Sequence, residues 1–178
     1  MKRPDQTSAT EDSIHSSAVT FLKERGVTLH DLVELVMFLQ SDYYPDLTYS
    51  ECRQNVEKVL AKREVQNAIL TGITLDRLAE QRALRQPLQD MVAQDEGLYG
   101  IDEILAFGII NVYGSIGFTN YGYIDKVKPG ILKKMNGEKK GCVHTFLDDI
   151  VGAIAAAASS RLAHSRKTGR DDAIPDDE

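Results

Sequence analysis

Residues 144–164 read HTFLDDIVGAIAAAASSRLAH, and after Asp149 this stretch is alanine-rich and apolar on nearly every side. Alanine is the strongest helix former, so the stretch predicts a helix. A helix that is apolar all round is stable only when most of its faces are buried. We therefore expect residues 144–164 to form the central helix of a helical domain.

The rest of the chain is also expected to be helical. Apolar residues recur at helical spacing after residue 28, and no segment shows strict strand alternation. Thr28 with Asp31, and Thr48 with Glu51, are candidate helix caps. The predicted helices are 13–25, one opening at Thr28, one from Thr48 to Gly72, one capped by Thr74, one from Pro87 to Gly97, and then 101–113, 129–135 and 144–164.

These elements predict an all-α fold, a single-domain multi-helix bundle with an apolar central helix near the C-terminus. The domain is expected to cover residues 13–164. Residues 1–12 are polar and residues 165–178 are rich in acids, so both ends are expected to be disordered.

Charge and cysteine content limit the classes of function. The formal net charge is −6, which argues against a nucleic-acid partner because general nucleic-acid binders carry a basic excess. Cys52 and Cys142 form no paired motif, and the N-terminal residues lack an apolar signal core. A cytoplasmic protein is the simplest interpretation.

Residues 104–124 carry no charge and are long enough to span a bilayer. Glycine, asparagine, serine, threonine and tyrosine interrupt this stretch repeatedly. We interpret it as a buried, site-forming segment and not as a membrane span.

Two similar hexapeptides carry adjacent acids. Residues 101–106 read IDEILA and residues 147–152 read LDDIVG, each near the start of a predicted helix. The helix dipole alone favours acids there, by about 0.3–1 kcal/mol, and Asp148 follows Thr145 at capping distance. A carboxylate buried beside an apolar helix, however, must find a cation or hydrogen-bond donors, and a metal would satisfy several acids together. The candidate catalytic and metal-binding residues are Asp102, Glu103, Asp148 and Asp149.

The oxygen ligands on offer favour Mg²⁺, since the chain has neither a cysteine cluster nor an HExxH motif. His144 lies four residues before Asp148. It is a candidate contact to substrate or metal, although a lone histidine is more often a capping or hydrogen-bonding residue.

Residues 113–123, YGSIGFTNYGY, are expected to form a glycine loop that approaches a phosphate. The candidate phosphate-binding residues in it are Gly114, Ser115, Gly117 and Thr119. The alternative is an ordinary helix connection with tight turns. Lysines are frequent over residues 126–140, where Lys126 and Lys128 are the better phosphate candidates and the others favour a solvated loop or anionic lipid.

The segments GLYGIDEILAFGIINVYGSIGFTNYGYIDKVKPG (97–130) and VHTFLDDIVGAIAAAASSRLAH (143–164) resemble the phosphatidylglycerophosphatase A family. They are most similar to its soluble Gram-positive branch, the low-temperature-requirement C proteins. The family's D-[DE]-x-V-G motif falls on Asp148, Asp149 and Gly152. Its glycine/threonine loop falls loosely on residues 114–119, where Ser115 replaces a threonine and Phe118 is inserted.

The resemblance implies a phosphoric monoester hydrolase that uses Mg²⁺ to convert phosphatidylglycerophosphate to phosphatidylglycerol and phosphate. It implies an anionic phospholipid substrate and a peripheral position at the inner face of the cell membrane, since the spanning segments of membrane members are largely missing. A homodimer is plausible for a small helical domain. Two alternatives stay open: a non-catalytic binding module for anionic lipid or a phosphometabolite, and a nucleotide pyrophosphatase-like enzyme, whose E-x-x-E pattern the adjacent acid pairs fit poorly.

Overall fold

The computed structural model describes residues 11–137 and 141–168, and all regular structure in these ranges is helical. The predicted all-α fold is therefore confirmed. The helices are α1 (Glu11–Glu24), α2 (Leu29–Gln40), α3 (Tyr49–Leu60), α4 (Arg63–Glu80), α5 (Leu88–Gln94), α6 (Ile101–Ile110), a 3₁₀ turn (Asn111–Tyr113), α7 (Gly114–Val127), α8 (Ile131–Gly137) and α9 (Leu147–Thr168).

Helix α9 is the centre of the bundle, as its composition predicts. Every residue from Ile150 to Ser160 is buried. Helices α2, α3, α4, α6, α7 and α8 all pack against it. Because the alanine side chains are short, these helices pack close to the α9 backbone. Little side-chain entropy is lost in doing so.

Two of the predicted helix starts are confirmed. Thr28 caps α2 in a full capping box with Asp31. At α3, the Thr48 hydroxyl accepts from the Glu51 N–H. The Glu51 carboxylate does not complete this second box, because it receives two bonds of 2.6 Å from Arg166.

Arg166 also explains why α9 ends later than expected. The sequence places the end of the domain at residue 164, but α9 continues to Thr168. Besides its two bonds to Glu51, Arg166 bonds Asp46 at 2.7 Å and lies over the Tyr44 ring. This cross-link to α3 holds the last turn. At the other end α1 begins at Glu11, inside the segment expected to be disordered, while residues 1–10 and 169–178 lie outside the described residues.

Three further expectations for secondary structure are wrong. The helix predicted over 48–72 is broken at residues 61–62 into α3 and α4. Thr74 starts no helix; it lies inside α4, where its hydroxyl donates to the Leu70 carbonyl. The expected glycine loop is helix α7. The absence of a side chain at Gly117 allows α7 to pack on Ile110, and Gly114, at φ +66°, turns the chain into α7.

Segment Ile101–Val127 is the one stretch in the described part of the chain with the length and mean hydropathy, 1.3, of a membrane span. Only 33% of its most apolar window is buried. The segment has an inner side that carries Asp102 and Tyr121 and an outer side that exposes Ile101 and Ile104.

Substitution of Gly72 tests the close approach of α4 to α9. A Cβ atom at Gly72 would lie 2.4 Å from Ile150 Cδ1 and 2.9 Å from Phe146 Cβ. Alanine gains about 1 kcal/mol of helix propensity over glycine, but overpacking costs about 1–3 kcal/mol. We expect Gly72→Ala to lower the free energy of unfolding, measured by urea denaturation.

The matched control is Gly122→Ala in α7, where an added Cβ meets nothing within 4 Å. This variant is expected to be as stable as the unmodified protein or to gain about 1 kcal/mol. Equal effects of the two substitutions would contradict the close packing of α4 on α9.

Candidate metal centre

Three carboxylates from two helices meet beside α9. Asp102 and Glu103 come from the first turn of α6, and Asp149 from the first turn of α9. One oxygen atom of each lies within 4.8 Å of the other two. The two hexapeptides with adjacent acids thus come together, because α6 packs directly on α9.

The setting of this cluster favours a cation. Asp102 is 6% exposed and Asp149 is 7% exposed. Asp102 Oδ1 and Glu103 Oε2 are buried atoms without a hydrogen-bond partner. Carboxylates held this closely repel one another, and each unpaired one is costly to bury. A hard divalent ion that prefers oxygen ligands fits these donors.

The pKa values of two of these acids reflect the same setting. Burial, and then the adjacent Glu103 carboxylate, raise the pKa of Asp102 to about 7. Burial, and then the Asp148 carboxylate, raise the pKa of Asp149 to about 7. In the absence of a cation, both groups therefore bind protons far more readily than an exposed aspartate does.

Tyr121 on α7 fixes the orientation of Asp149. Its hydroxyl donates to Asp149 Oδ1 at 2.7 Å. The Tyr121 ring lies against Gly152, where ring atoms are 3.7–3.8 Å from the position of an added Cβ. Burial, and then Asp149, raise the pKa of Tyr121, so the phenol stays protonated and remains a donor. Sequence reasoning missed Tyr121 because it lay in a stretch expected to be a loop, although Gly117, Tyr121 and Ile124 have helical spacing.

Asp148 does not belong to the three-acid cluster, contrary to the prediction. Its Oδ2 is 2.8 Å from Lys128 Nζ, and the same nitrogen lies 2.7 Å from Asp125 Oδ1. Adjacent residues on a helix point about 100° apart, so Asp148 and Asp149 face different partners. Asp149 contributes to the cluster, while Asp148 contributes to an ion-pair network with Asp125 and Lys128.

Lys128 is half-buried between these two carboxylates and does not extend freely towards a phosphate. Burial alone would lower the pKa of Lys128, but Asp148 and Asp125 outweigh it and raise that pKa. For Asp148, burial raises the pKa and Lys128 opposes the rise. The network therefore keeps Lys128 charged beside the cluster. Asp125 was also missed, since a single acid in a predicted loop carries no distinctive pattern.

The other predicted substrate-binding residues are dispersed. Gly114, Ser115, Gly117 and Thr119 lie on α7. Ser115 and Thr119 line a separate cavity with Tyr43, Tyr44 and Lys167, and the Thr119 hydroxyl donates to the Ser115 carbonyl. No cluster residue lines that cavity, and Gly117 is a packing residue. The prediction of a loop at these four residues is therefore wrong. Phosphate binding by them stays a prediction.

The remaining candidates also lie outside the three-acid cluster. Lys126 is exposed on α7. His144 Nδ1 lies 3.2 Å from the Met135 carbonyl, and the ring lines a cavity that also contains Asp95 and Asp148. This position fits a contact near Asp148 better than a metal ligand. Residues 138–140 of the lysine-rich stretch lie outside the described residues.

Asp76 on α4 holds the start of α9. Its carboxylate accepts from the Phe146 N–H at 3.1 Å and from the Leu147 N–H at 3.0 Å. Burial raises the pKa of Asp76 to about 8, against the opposing effect of these two donors. Thr145 is not the cap, because its hydroxyl donates to the Val92 carbonyl. The missed signal was an acid at position 76 on the apolar stripe of Ile69, Gly72 and Ile73.

A second clamp acts just before α9. Arg25 pairs with Glu80 at 2.7 Å and donates to the Val143 carbonyl at 2.6 Å. Glu80 in turn accepts from the Val143 N–H at 2.9 Å. Helices α1 and α4 thus fix the loop that leads into Asp148 and Asp149.

Comparison with known proteins identifies a family and its relatives. A family model described as phosphatidylglycerophosphatase A matches residues 18–164. The chain is 71% identical over 143 residues to the uncharacterized protein YutG of Bacillus subtilis (strain 168), covering 80% of this chain and 86% of that protein. It is 54% identical over 157 residues to the uncharacterized protein YpjQ of the same strain, covering 88% of each.

A solved structure agrees. The fold is similar to the crystal structure of low temperature requirement C protein from Listeria monocytogenes, with 66% identity and a TM-score of 0.86, covering 89% of this chain and 99% of that one. The resemblance drawn from the sequence, including its branch, is confirmed.

The raised pKa values predict how metal binding depends on pH. A metal ligand must be deprotonated, so protons compete with Mg²⁺ at Asp102 and Asp149. Both pKa values are about 7. Affinity is therefore expected to rise with pH through 7, with binding about tenfold or more weaker at pH 6 than at pH 8. Isothermal titration calorimetry with Mg²⁺ measures this, and an affinity that is constant over this range would contradict the cluster as the binding site.

Proposed function

The chain belongs to the phosphatidylglycerophosphatase A family, and on that premise we propose that it is a Mg²⁺-dependent phosphatase that converts phosphatidylglycerophosphate to phosphatidylglycerol and phosphate. The observation that carries the proposal is the meeting of Asp102, Glu103 and Asp149 in one cluster. Two of its oxygen atoms are buried without partners. Such a cluster costs stability unless it binds a cation, and phosphate ester hydrolysis uses that cation.

The three acids of the cluster differ in exposure, and we propose different roles for them on that basis. Asp102 and Asp149 are the more buried pair and are proposed to hold the ion. When bound, the ion supplies positive charge that offsets the charge developing on the phosphate oxygens. Glu103 is half-buried and has a free oxygen, Oε2. It is proposed to orient the attacking water and to accept its proton.

The reaction exchanges one phosphorus–oxygen bond for another. The water oxygen bonds to phosphorus as the bond to the glycerol oxygen breaks. The proton passes from water to the Glu103 carboxylate and from there to solvent, and the departing glycerol oxygen takes up a proton from solvent to form the alcohol. Tyr121 keeps Asp149 aligned through its 2.7 Å bond throughout.

The Lys128 network supports the same chemistry from the other side of α9's first turn. Lys128 is held by Asp125 and Asp148 and stays charged. A fixed cation near the cluster favours an anionic substrate and stabilises the dianionic phosphate. We propose that Lys128 positions the phosphate electrostatically, without leaving its two carboxylate partners.

The proposed substrate is an anionic lipid, so the protein must meet a membrane surface. We propose a cytoplasmic protein that works peripherally at the inner face of the cell membrane. The alternative is a binding module of the same fold that holds an anionic lipid or phosphometabolite without turnover.

The test is phosphate release from phosphatidylglycerophosphate in mixed micelles, with and without Mg²⁺. We expect release only with Mg²⁺, and a loss of about 100-fold or more in Asp149→Asn, since a charge-stabilising group is removed. Asp148→Asn should cost less, about tenfold, because that residue acts through Lys128.

The matched control is Asp42→Asn, an exposed aspartate in the turn after α2, which is expected to leave release unchanged. Mg²⁺ binding by the unmodified protein with no phosphate release would reject the phosphatase and favour the binding module. Full activity in Asp149→Asn would reject the cluster as the active site.

A further inference from the structure

The outer side of α6 and α7 is an exposed apolar face. Leu98, just before α6, is 94% exposed, Ile104 is 61% exposed and Ile101 is 48% exposed. Phe118 on α7 is 41% exposed, and its ring centroid lies 5.5 Å from that of Phe107. We call these five residues, Leu98, Ile101, Ile104, Phe107 and Phe118, the α6–α7 face. A group of large apolar side chains at the surface marks a site of interaction.

This face adjoins the metal centre. Phe107 lies one helical turn after Glu103 on α6, so their side chains are neighbours. The Phe107 ring meets the Tyr121 ring edge-on with centroids 5.7 Å apart, and the Tyr121 hydroxyl bonds Asp149. Of the three cluster acids, Glu103 is the most exposed. The cluster therefore opens towards the α6–α7 face.

The charges around the face suit an anionic surface. Segment 101–127 has four charged residues: Asp102 and Glu103 in the cluster, Asp125 paired with Lys128, and Lys126. Lys126 is exposed and lies two turns after Phe118 on the same i+4 row of α7. The formal net charge of the whole chain is −6, so Lys126, next to the apolar side chains, is the group on this side that an anionic membrane attracts.

These features favour a lipid surface over a second copy of the chain. A symmetric pair joined through this face would cover the cluster at Glu103 and exclude a phosphate substrate. A membrane that touches the same face presents phosphate groups to the cluster while the apolar side chains enter the acyl region. Side chains at a lipid interface insert in this way, apolar groups inward and lysines at the headgroups.

We propose that the α6–α7 face is the membrane-docking surface of the protein, that it inserts into an anionic phospholipid bilayer, and that it thereby places the metal centre at the headgroup phosphates. This inference rests on the proposed lipid phosphatase function. Docking is a binding event that needs no turnover, so the two can be tested apart.

The chain contains no tryptophan, so a single introduced one reports on its own surroundings. In Ile104→Trp, addition of vesicles of phosphatidylcholine with about one-third phosphatidylglycerol is expected to shift the emission to shorter wavelength, and brominated acyl chains are expected to quench it. In the matched control Val19→Trp, on α1 and 39% exposed in the native chain, the emission should not change. Equal responses of the two tryptophans, or none from Ile104→Trp, would overturn the proposal.

A second pair of variants tests docking without an introduced tryptophan. Leu98→Ser/Ile104→Ser should lower vesicle binding in sedimentation by at least about tenfold, because two apolar side chains lose their burial in lipid. Val19→Ser should bind like the unmodified protein. Unchanged binding by the double variant would overturn the proposal, with circular dichroism as the check that both variants are folded.

Two further outcomes separate the alternatives. In the first, the Ile104→Trp emission is already at short wavelength without vesicles, and light scattering shows a dimer that the double serine variant does not form. This result would assign the face to a second copy of the chain and overturn the proposal. Vesicle binding through this face by Asp149→Asn supports the proposal. If the unmodified protein binds vesicles in this way but releases no phosphate, docking stands and the phosphatase function fails.

Discussion

Burial of the central part of α9 is the constraint from which the rest of the structure follows. Phe146 and Leu147 at its start are fully buried, as is every residue from Ile150 to Ser160, so water cannot satisfy the free N–H groups at the start. The Asp76 carboxylate accepts from two of them, and the Arg25–Glu80 pair fixes Val143, three residues before Phe146. The same burial draws Asp148 and Asp149 into the interior, where their charge must be balanced.

The protein balances that charge in two different ways. On one side, Lys128 neutralises Asp148 and Asp125 with an ion pair built from its own side chains. On the other side, Tyr121 donates to Asp149, while Asp102 Oδ1 and Glu103 Oε2 are buried without a hydrogen-bond partner. An acid cluster of this kind is unfavourable in isolation and favourable around a divalent cation. The metal centre and the family membership therefore support the same function from independent observations.

The features of the fold that depend on local sequence could be predicted. The apolar run at 150–158 requires burial wherever it occurs, and Thr28 and Thr48 cap helices through atoms three residues away. The two acid pairs could be found because IDEILA and LDDIVG are similar at each position.

What could not be predicted depends on contacts between distant segments. Glycines made residues 113–123 resemble a loop, although Gly117 serves close packing on Ile110. Sequence spacing indicated that Asp148 could serve a cap while Asp149 points inward, because adjacent helix positions are about 100° apart. It could not show the partners that separate them, which are Tyr121 in α7 and Lys128 just after it.

The most direct test of the metal centre is a crystal structure of the protein with Mn²⁺, which occupies magnesium sites and scatters anomalously. The ion is predicted to appear as one anomalous peak about 2.1–2.3 Å from oxygen atoms of Asp102 and Asp149, beside the Glu103 carboxylate and with Lys128 still bound to Asp148 and Asp125. A peak on Asp148 and Asp125 in place of Lys128, or no peak at the three acids at saturating Mn²⁺, would contradict the central claim.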